Sequence, residues 1–239
     1  MAGYETLQAG EKTIRIKAFG EDKAPAVLYC LTGDDPDEQV TALEQIILPE
    51  IERGACRPFY LTWCGPVDWN AEYTPWPAPA LSKKDVPFAG AAEKTLAWLQ
   101  DGWMPKVQQT IGESVPADNS FLLGYSLGGL CALWMAYTSA LFAGHASCSG
   151  SLWYDGWLDF AQTHHIQRPT GRTYLSLGDR EEKTRNPRMA TVGEATRQTA
   201  ALLAADPNVA ETTLIWQEGN HFTNIPGRLA QAILWLMRT

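Results

Sequence analysis

Residues 120–140 read Ser120-Phe121-Leu122-Leu123-Gly124-Tyr125-Ser126-Leu127-Gly128-Gly129-Leu130-Cys131-Ala132-Leu133-Trp134-Met135-Ala136-Tyr137-Thr138-Ser139-Ala140. Residues 120–123 form an apolar run of strand type, and residues 130–140 are helix-like. Between them stands Gly124-Tyr125-Ser126-Leu127-Gly128, a G-x-S-x-G turn in strand–turn–helix context, where this motif carries chemistry. Such a turn strains the serine backbone and pushes its hydroxyl outward. Gly124 and Gly128 lack a Cβ, so the strand end and the helix start can pass close together. Leu127 then presents its backbone N–H at a helix N-terminus, where a developing oxyanion is stabilised.

The pattern on either side of this stretch alternates strand-like and helix-like segments, which predicts an α/β protein with a mostly parallel sheet. Residues 13–19 alternate Ile14, Ile16 and Ala18 against Arg15 and Lys17, a half-exposed strand near an edge. Residues 26–32, 57–63, 144–149, 172–177 and 211–216 read as further strands. Residues 39–53 place Val40, Leu43, Ile47 and Ile51 on one helical face, with Pro49 expected to kink it. Residues 88–111 predict a long helix with a break near Gly102 and Pro105. Residues 191–205 and 225–237 predict two more helices. The longest irregular stretch, residues 64–87, is rich in proline and aromatics, and a loop of that length in a compact domain is usually functional.

Composition narrows the function classes. The 239 residues with 45% hydrophobic content suffice for one α/β domain with a large core, expected to span residues 1–239. A net charge of −8 argues against nucleic acid or an anionic membrane as the main partner. No apolar stretch is long enough to span a bilayer, and residues 1–10 lack the apolar core of a secretory signal. Cys30, Cys56, Cys64, Cys131 and Cys148 are odd in number and mostly lie in or beside apolar runs. They predict buried free thiols in a reducing cytoplasm. No Cys/His cluster suggests a metal site, and no cofactor is expected.

A serine hydroxyl is a poor nucleophile without a base, and the base needs an acceptor that fixes its tautomer. Four histidines are present. His145 sits in a strand-like run, and His164 and His165 lie in a polar loop. His221 follows the last strand-like run across Gln217-Glu218-Gly219-Asn220, so it is placed to point over the sheet's C-terminal edge toward Ser126. It is the expected base. The acid should come from Gly178-Asp179-Arg180-Glu181-Glu182-Lys183, after the strand at 172–177, where Asp179, Glu181 and Glu182 compete. Asp179 lies nearest the strand end with a short side chain, and Glu181 has one more methylene of reach. A second oxyanion N–H is expected from Asp34, after Gly33 allows a positive-φ turn.

These segments together resemble the putative-esterase family of α/β-hydrolases, the group that includes siderophore trilactone esterases, esterase D-like enzymes and mycolyltransferases. Val27-Leu28-Tyr29-Cys30-Leu31-Thr32-Gly33-Asp34 is similar to its V-L-Y-x-L-D-G-x, Gly124 to Gly129 to its G-x-S-x-G-G, and Ser149-Gly150-Ser151-Leu152-Trp153 to its S-x-S-x-W. Gly178-Asp179-Arg180-Glu181 is similar to its G-x-x-E, and Gly219-Asn220-His221 to its G-x-H. Thr32 stands where the family usually has Asp. Trp69 replaces the arginine of an R-x-x-D-[YL]-T-P segment, which weakens a reading toward anionic ferric-siderophore substrates.

The resemblance implies an α/β-hydrolase fold, a mostly parallel central sheet with helices on both faces. It also implies a serine esterase acting on a small-molecule ester, with Ser126, His221 and Glu181 as catalytic residues and the Leu127 and Asp34 N–H groups as the oxyanion hole. Trp69, Tyr73, Trp76 and Trp153 are candidates for an apolar substrate wall, or else anchors of their segments on the core. Acyl transfer through the same residues and a non-catalytic binding scaffold are the alternatives.

Overall fold

The computed structural model describes residues 3–20, 26–33 and 37–239. The strands are β1 (Glu5–Ala9), β2 (Lys12–Phe19), β3 (Ala26–Leu31), β4 (Phe59–Gly65), β5 (Ser120–Tyr125), β6 (Gly144–Cys148), β7 (Thr170–Gly178) and β8 (Val209–Gln217). The helices are α1 (Asp37–Glu52), α2 (Trp69–Glu72), α3 (Ala92–Trp98), α4 (Met104–Ile111), α5 (Leu127–Thr138), α6 (Trp157–Thr163), α7 (Val192–Ala205) and α8 (Ile225–Leu236). Among the described residues, the eight strands form one sheet in the order β1-β2-β4-β3-β5-β6-β7-β8. The pairs β1–β2 and β2–β4 are antiparallel and the remaining pairs are parallel. This is the mostly parallel α/β sheet that the sequence pattern predicted, in the α/β-hydrolase arrangement that the family resemblance implied.

The sheet separates two apolar layers. Val27, Tyr29 and Leu31 of β3 face a cluster with α3, α4, α5 and part of α7. Leu28 and Cys30 face the other way, toward Val40, Leu43 and Ile47 of α1 and Leu229, Ala232 and Ile233 of α8. This alternation along a strand buried on both faces is what lets a continuous apolar run serve as a central parallel strand. α5 is buried along nearly its whole length, because it packs under the centre of the sheet. All five cysteines are free and buried.

Several expectations are sharpened. The chain remains helical through Pro49 to Glu52. The break expected near Gly102 and Pro105 is a wide π turn, Leu99–Trp103, joining α3 to α4. It accommodates Pro105, which has no N–H for an ordinary helical bond. Strand β2 lies near an edge, as expected, with only β1 outside it. Lys17 is buried rather than exposed, because it shares a face with Phe19 against α1, where its ammonium pairs with Glu44 at 2.6 Å.

Parallel strands all end at the same edge of the sheet. The loops after β5, β6, β7 and β8 therefore converge at one place, the general ligand-binding edge of such folds. No described helix is long and apolar enough to cross a membrane.

Candidate active site

The turn after β5 is shaped by close backbone approach. A Cβ on Gly124 would lie 2.0 Å from the Gly128 carbonyl oxygen, and one on Gly128 would lie 1.9 Å from the Leu31 carbonyl oxygen. Only glycine fits at either position. Ser126 between them sits at φ 56°, ψ −122°, a strained conformation for a residue with a side chain. The strain is held by the neighbouring loop: Ser126 N–H donates to the Cys148 carbonyl at 3.1 Å, and Ser151 N–H donates to the Ser126 carbonyl at 2.9 Å. Leu127 is the first residue of α5, so its N–H has no acceptor within the helix and is free to face an anion.

His221 lies in the turn between β8 and α8. Its Nε2 is 3.1 Å from Ser126 Oγ, and its Nδ1 is 2.7 Å from Glu181 Oε2. Of the three carboxylates after β7, Glu181 is the one set against the imidazole. Asp179 instead accepts from Gly219 N–H at 2.8 Å, tying the two loops together. Glu182 turns to Arg197 of α7 at 3.2 Å.

Glu181 is only 5% exposed. Burial alone would raise its pKa, but the hydrogen bond and positive charge offered by His221, the Gly178 N–H and the Ser149 hydroxyl outweigh it. The carboxyl is held below its usual range. The sign follows from the donors: each favours the ionised form.

The Oε1 atom has its own set of partners. It accepts from Gly178 N–H, from the Ser149 hydroxyl and from Arg228 Nη1, each at 2.8 Å. Arg228 is 2% exposed. Tyr125, next to Ser126, donates its hydroxyl to the His221 carbonyl. Ser151 Oγ stands 3.4 Å from Ser126 Oγ.

Sequence reading missed Ser149, Arg228 and Tyr125. Arg228 left a signal: it is the one charged residue in a mostly apolar helix and shares a face with Ala232 and Leu236, both buried.

The other three histidines lie elsewhere. His145 is buried in β6, and its pKa is lowered to about 3 by burial. His164 and His165 are exposed.

Ser126 and His221 open into a cleft of ≈ 870 Å³. Its apolar lining includes Val86, Phe88, Leu127, Trp153 and Phe222. Of the four aromatic candidates, Trp153 lines the cleft, while Trp69, Tyr73 and Trp76 do not. Tyr73 is 1% exposed and meets Trp69 edge to face at 5.1 Å. Trp76 donates its indole N–H to the Asp155 carbonyl at 2.8 Å and packs on Tyr154 and Phe160. These three rings anchor the 64–87 segment, whose Leu81 and Val86, with the adjoining Phe88, line the cleft. Gly33 has φ +93°, the conformation expected for the turn, with Trp69 covering it; Asp34 lies outside the described residues.

Comparison with known proteins gives consistent results. The sequence profile of the family described as "Putative esterase" matches residues 13–212. The uncharacterized protein YbbA of Bacillus subtilis (strain 168) is 30% identical over 112 residues, which cover 46% of this chain and 44% of that protein. The match thus spans less than half the length of that relative.

Among solved structures, the siderophore hydrolase EstA from Aspergillus nidulans superposes with a TM-score of 0.76 at 17% identity, covering 98% of this chain and 93% of that one. An IroE-like serine hydrolase from Shewanella oneidensis gives 0.79 at 13% identity, covering 98% and 80%. The enterobactin esterase FES from Shigella flexneri gives 0.70 at 17% identity, covering 98% and 59%. At these identities the structural likeness speaks for the fold.

Proposed function

This chain belongs to the Putative esterase family, and we propose that it is a serine carboxylic-ester hydrolase working through an acyl-enzyme. Family membership supports hydrolase activity. The observation that carries the finer reading is the continuous relay at the cleft floor, 3.1 Å from Ser126 Oγ to His221 Nε2 and 2.7 Å from His221 Nδ1 to Glu181 Oε2.

In this mechanism Ser126 Oγ attacks the ester carbonyl while His221 Nε2 takes its proton. Glu181 accepts the Nδ1–H bond, which fixes the tautomer and stabilises the imidazolium. The Leu127 N–H, and by the sequence reading the Asp34 N–H, receive the oxyanion. His221 returns the proton to the leaving alcohol, and water then releases the acid by the reverse relay.

The substrate is a small-molecule ester whose apolar part rests against Phe88 and Trp153. Ester siderophores are the first natural candidates to assay, because the structurally similar EstA and FES are titled as siderophore hydrolase and enterobactin esterase. Residues 1–239 act as one domain. Five unpaired thiols support a cytoplasmic location.

The test is labelling by a fluorophosphonate probe together with hydrolysis of p-nitrophenyl esters. Both should disappear in Ser126→Ala, with turnover falling ~10³-fold or more while the protein stays folded. Near-normal turnover in folded Ser126→Ala ends the proposal.

A further inference from the structure

Arg228 occupies a position that helix packing does not explain. It lies in the first turn of α8, on the face buried against the sheet. An apolar side chain would satisfy that face, and a buried charge is tolerated there only with full pairing. Both terminal nitrogens are fully paired, and all of that pairing goes to one place. Nη1 donates to Ser149 Oγ at 2.7 Å and to Glu181 Oε1 at 2.8 Å. Nη2 donates to the carbonyls of Glu218 at 3.1 Å and Asn220 at 2.9 Å. One guanidinium therefore joins the residue after β6, the acid-bearing loop after β7 and the turn that carries His221.

The geometry points to Arg228 as the positioning residue of the relay: it fixes the Glu181 carboxylate and the 218–221 turn relative to each other, so that His221 Nδ1 meets Oε2. This rests on the triad reading above. Oε1 is occupied by three donors, Gly178 N–H, the Ser149 hydroxyl and Arg228. Only Oε2 is left for the imidazole. The carboxylate cannot rotate without losing those bonds, and the histidine turn cannot drift without losing both carbonyl contacts. Arginine suits this role because its planar fork offers five donors in fixed directions, whereas an ammonium is a point charge on a flexible stem. Displacement of a catalytic group by about an ångström costs on the order of 10²-fold in rate, so the hold should be visible in turnover.

The experiment compares Arg228→Met and Arg228→Lys with the wild type on p-nitrophenyl esters, well below each variant's melting temperature. Arg228→Met should lower kcat by roughly 10- to 100-fold with KM little changed. Guanidinium chloride in the tens of millimolar should restore part of the loss where sodium chloride does not. In a Glu181→Gln background the same substitution should cost little more, since no carboxylate remains to be positioned.

Wild-type kcat in folded Arg228→Met overturns the proposal, as does a loss that multiplies fully with that of Glu181→Gln. If Arg228→Met does not fold, Arg228→Lys decides. Its kcat should fall, and the low-field proton resonance of the His221–Glu181 hydrogen bond should move; wild-type values of both overturn the proposal. That resonance is read without turnover. Absence of Ser126-dependent hydrolysis in the wild type would count against the esterase reading, while an unmoved resonance would count against Arg228.

Discussion

His145 makes the stability of this fold acid-sensitive in a way that one substitution should remove. It is 1% exposed in β6, and neither ring nitrogen has a hydrogen-bond partner. Its nearest ring neighbour is Phe142, edge to face at 5.7 Å. The folded protein therefore holds it neutral, with a pKa lowered by burial from 6.5 to about 3. Because the folded value lies below the unfolded one, the unfolded chain binds the extra proton between them. Stability is full above the unfolded value and is lost as pH falls below it.

At pH 5, about 1.5 pH units below the ordinary imidazole value, the loss is about 2 kcal/mol at 1.36 kcal/mol per unit. That figure holds wherever the folded value lies well under 5. It is a substantial part of a stability of roughly 5–15 kcal/mol.

His145→Phe removes the titrating group and, since both nitrogens are unpartnered, should not destabilise the protein at pH 7.5 beyond the strain of fitting a somewhat larger ring. Urea unfolding of both proteins at pH 7.5 and pH 5.0 gives the test. The wild type should lose about 2 kcal/mol more than the variant between the two pH values. Carboxylates such as Glu181 titrate in both proteins and cancel in the difference. Equal losses would refute the argument and place a solvating partner or a proton on His145 in the folded state.

Glu181→Gln should lower kcat by ~10²-fold or more, because it removes the charge that stabilises the imidazolium; steady-state kinetics on one p-nitrophenyl ester measures it. Asp179→Asn and Glu182→Gln should each cost less than about threefold, since an Asn oxygen still accepts from Gly219 N–H and Glu182 faces Arg197 rather than the imidazole; a crippled Asp179→Asn would move the acid role there. Trp153→Ala should change the preference among acyl lengths more than the melting temperature, because the ring lines the cleft. Trp76→Ala should do the reverse, because its ring and indole N–H are spent on Tyr154, Phe160 and Asp155.

The contrast between the two tryptophans marks where the sequence stops being readable. Residues 64–87 advertised a functional loop, and Trp69, Tyr73 and Trp76 looked equally able to line a site or to anchor the chain. Composition says that an aromatic will bury its area, not in which direction. The elements missed have a similar cause. β1 is a short, largely exposed strand reading Glu-Thr-Leu-Gln-Ala, with too little apolar alternation to stand out. α6 has seven residues, two turns at most, too few to show a helical period. Lys17 fitted an exposed face by type, but Glu44 arrives from a helix some thirty residues further on, and pairing across that distance leaves no local trace.

The proposed nucleophile, Ser126, stands out in the sequence because its constraint is local. A Cβ on Gly124 or Gly128 collides with backbone at about 2 Å, so glycines at those two spacings around a serine are imposed by sterics within a single turn. The proposed base stands out for a related reason: a parallel sheet sends every strand end to one edge, so a histidine just past the last strand arrives beside the Ser126 turn. The proposed acid is different. Asp179, Glu181 and Glu182 all follow β7 within five residues, and strand position alone does not choose among them. What sets Glu181 toward His221 is the Gly178 N–H three residues back, the Ser149 hydroxyl one strand over and the Arg228 fork 47 positions ahead. Two of those three partners lie outside the local sequence. The G-x-x-E spacing is the part of that arrangement that a single loop can record, and Arg228 is the part that appears only when the helix face is known.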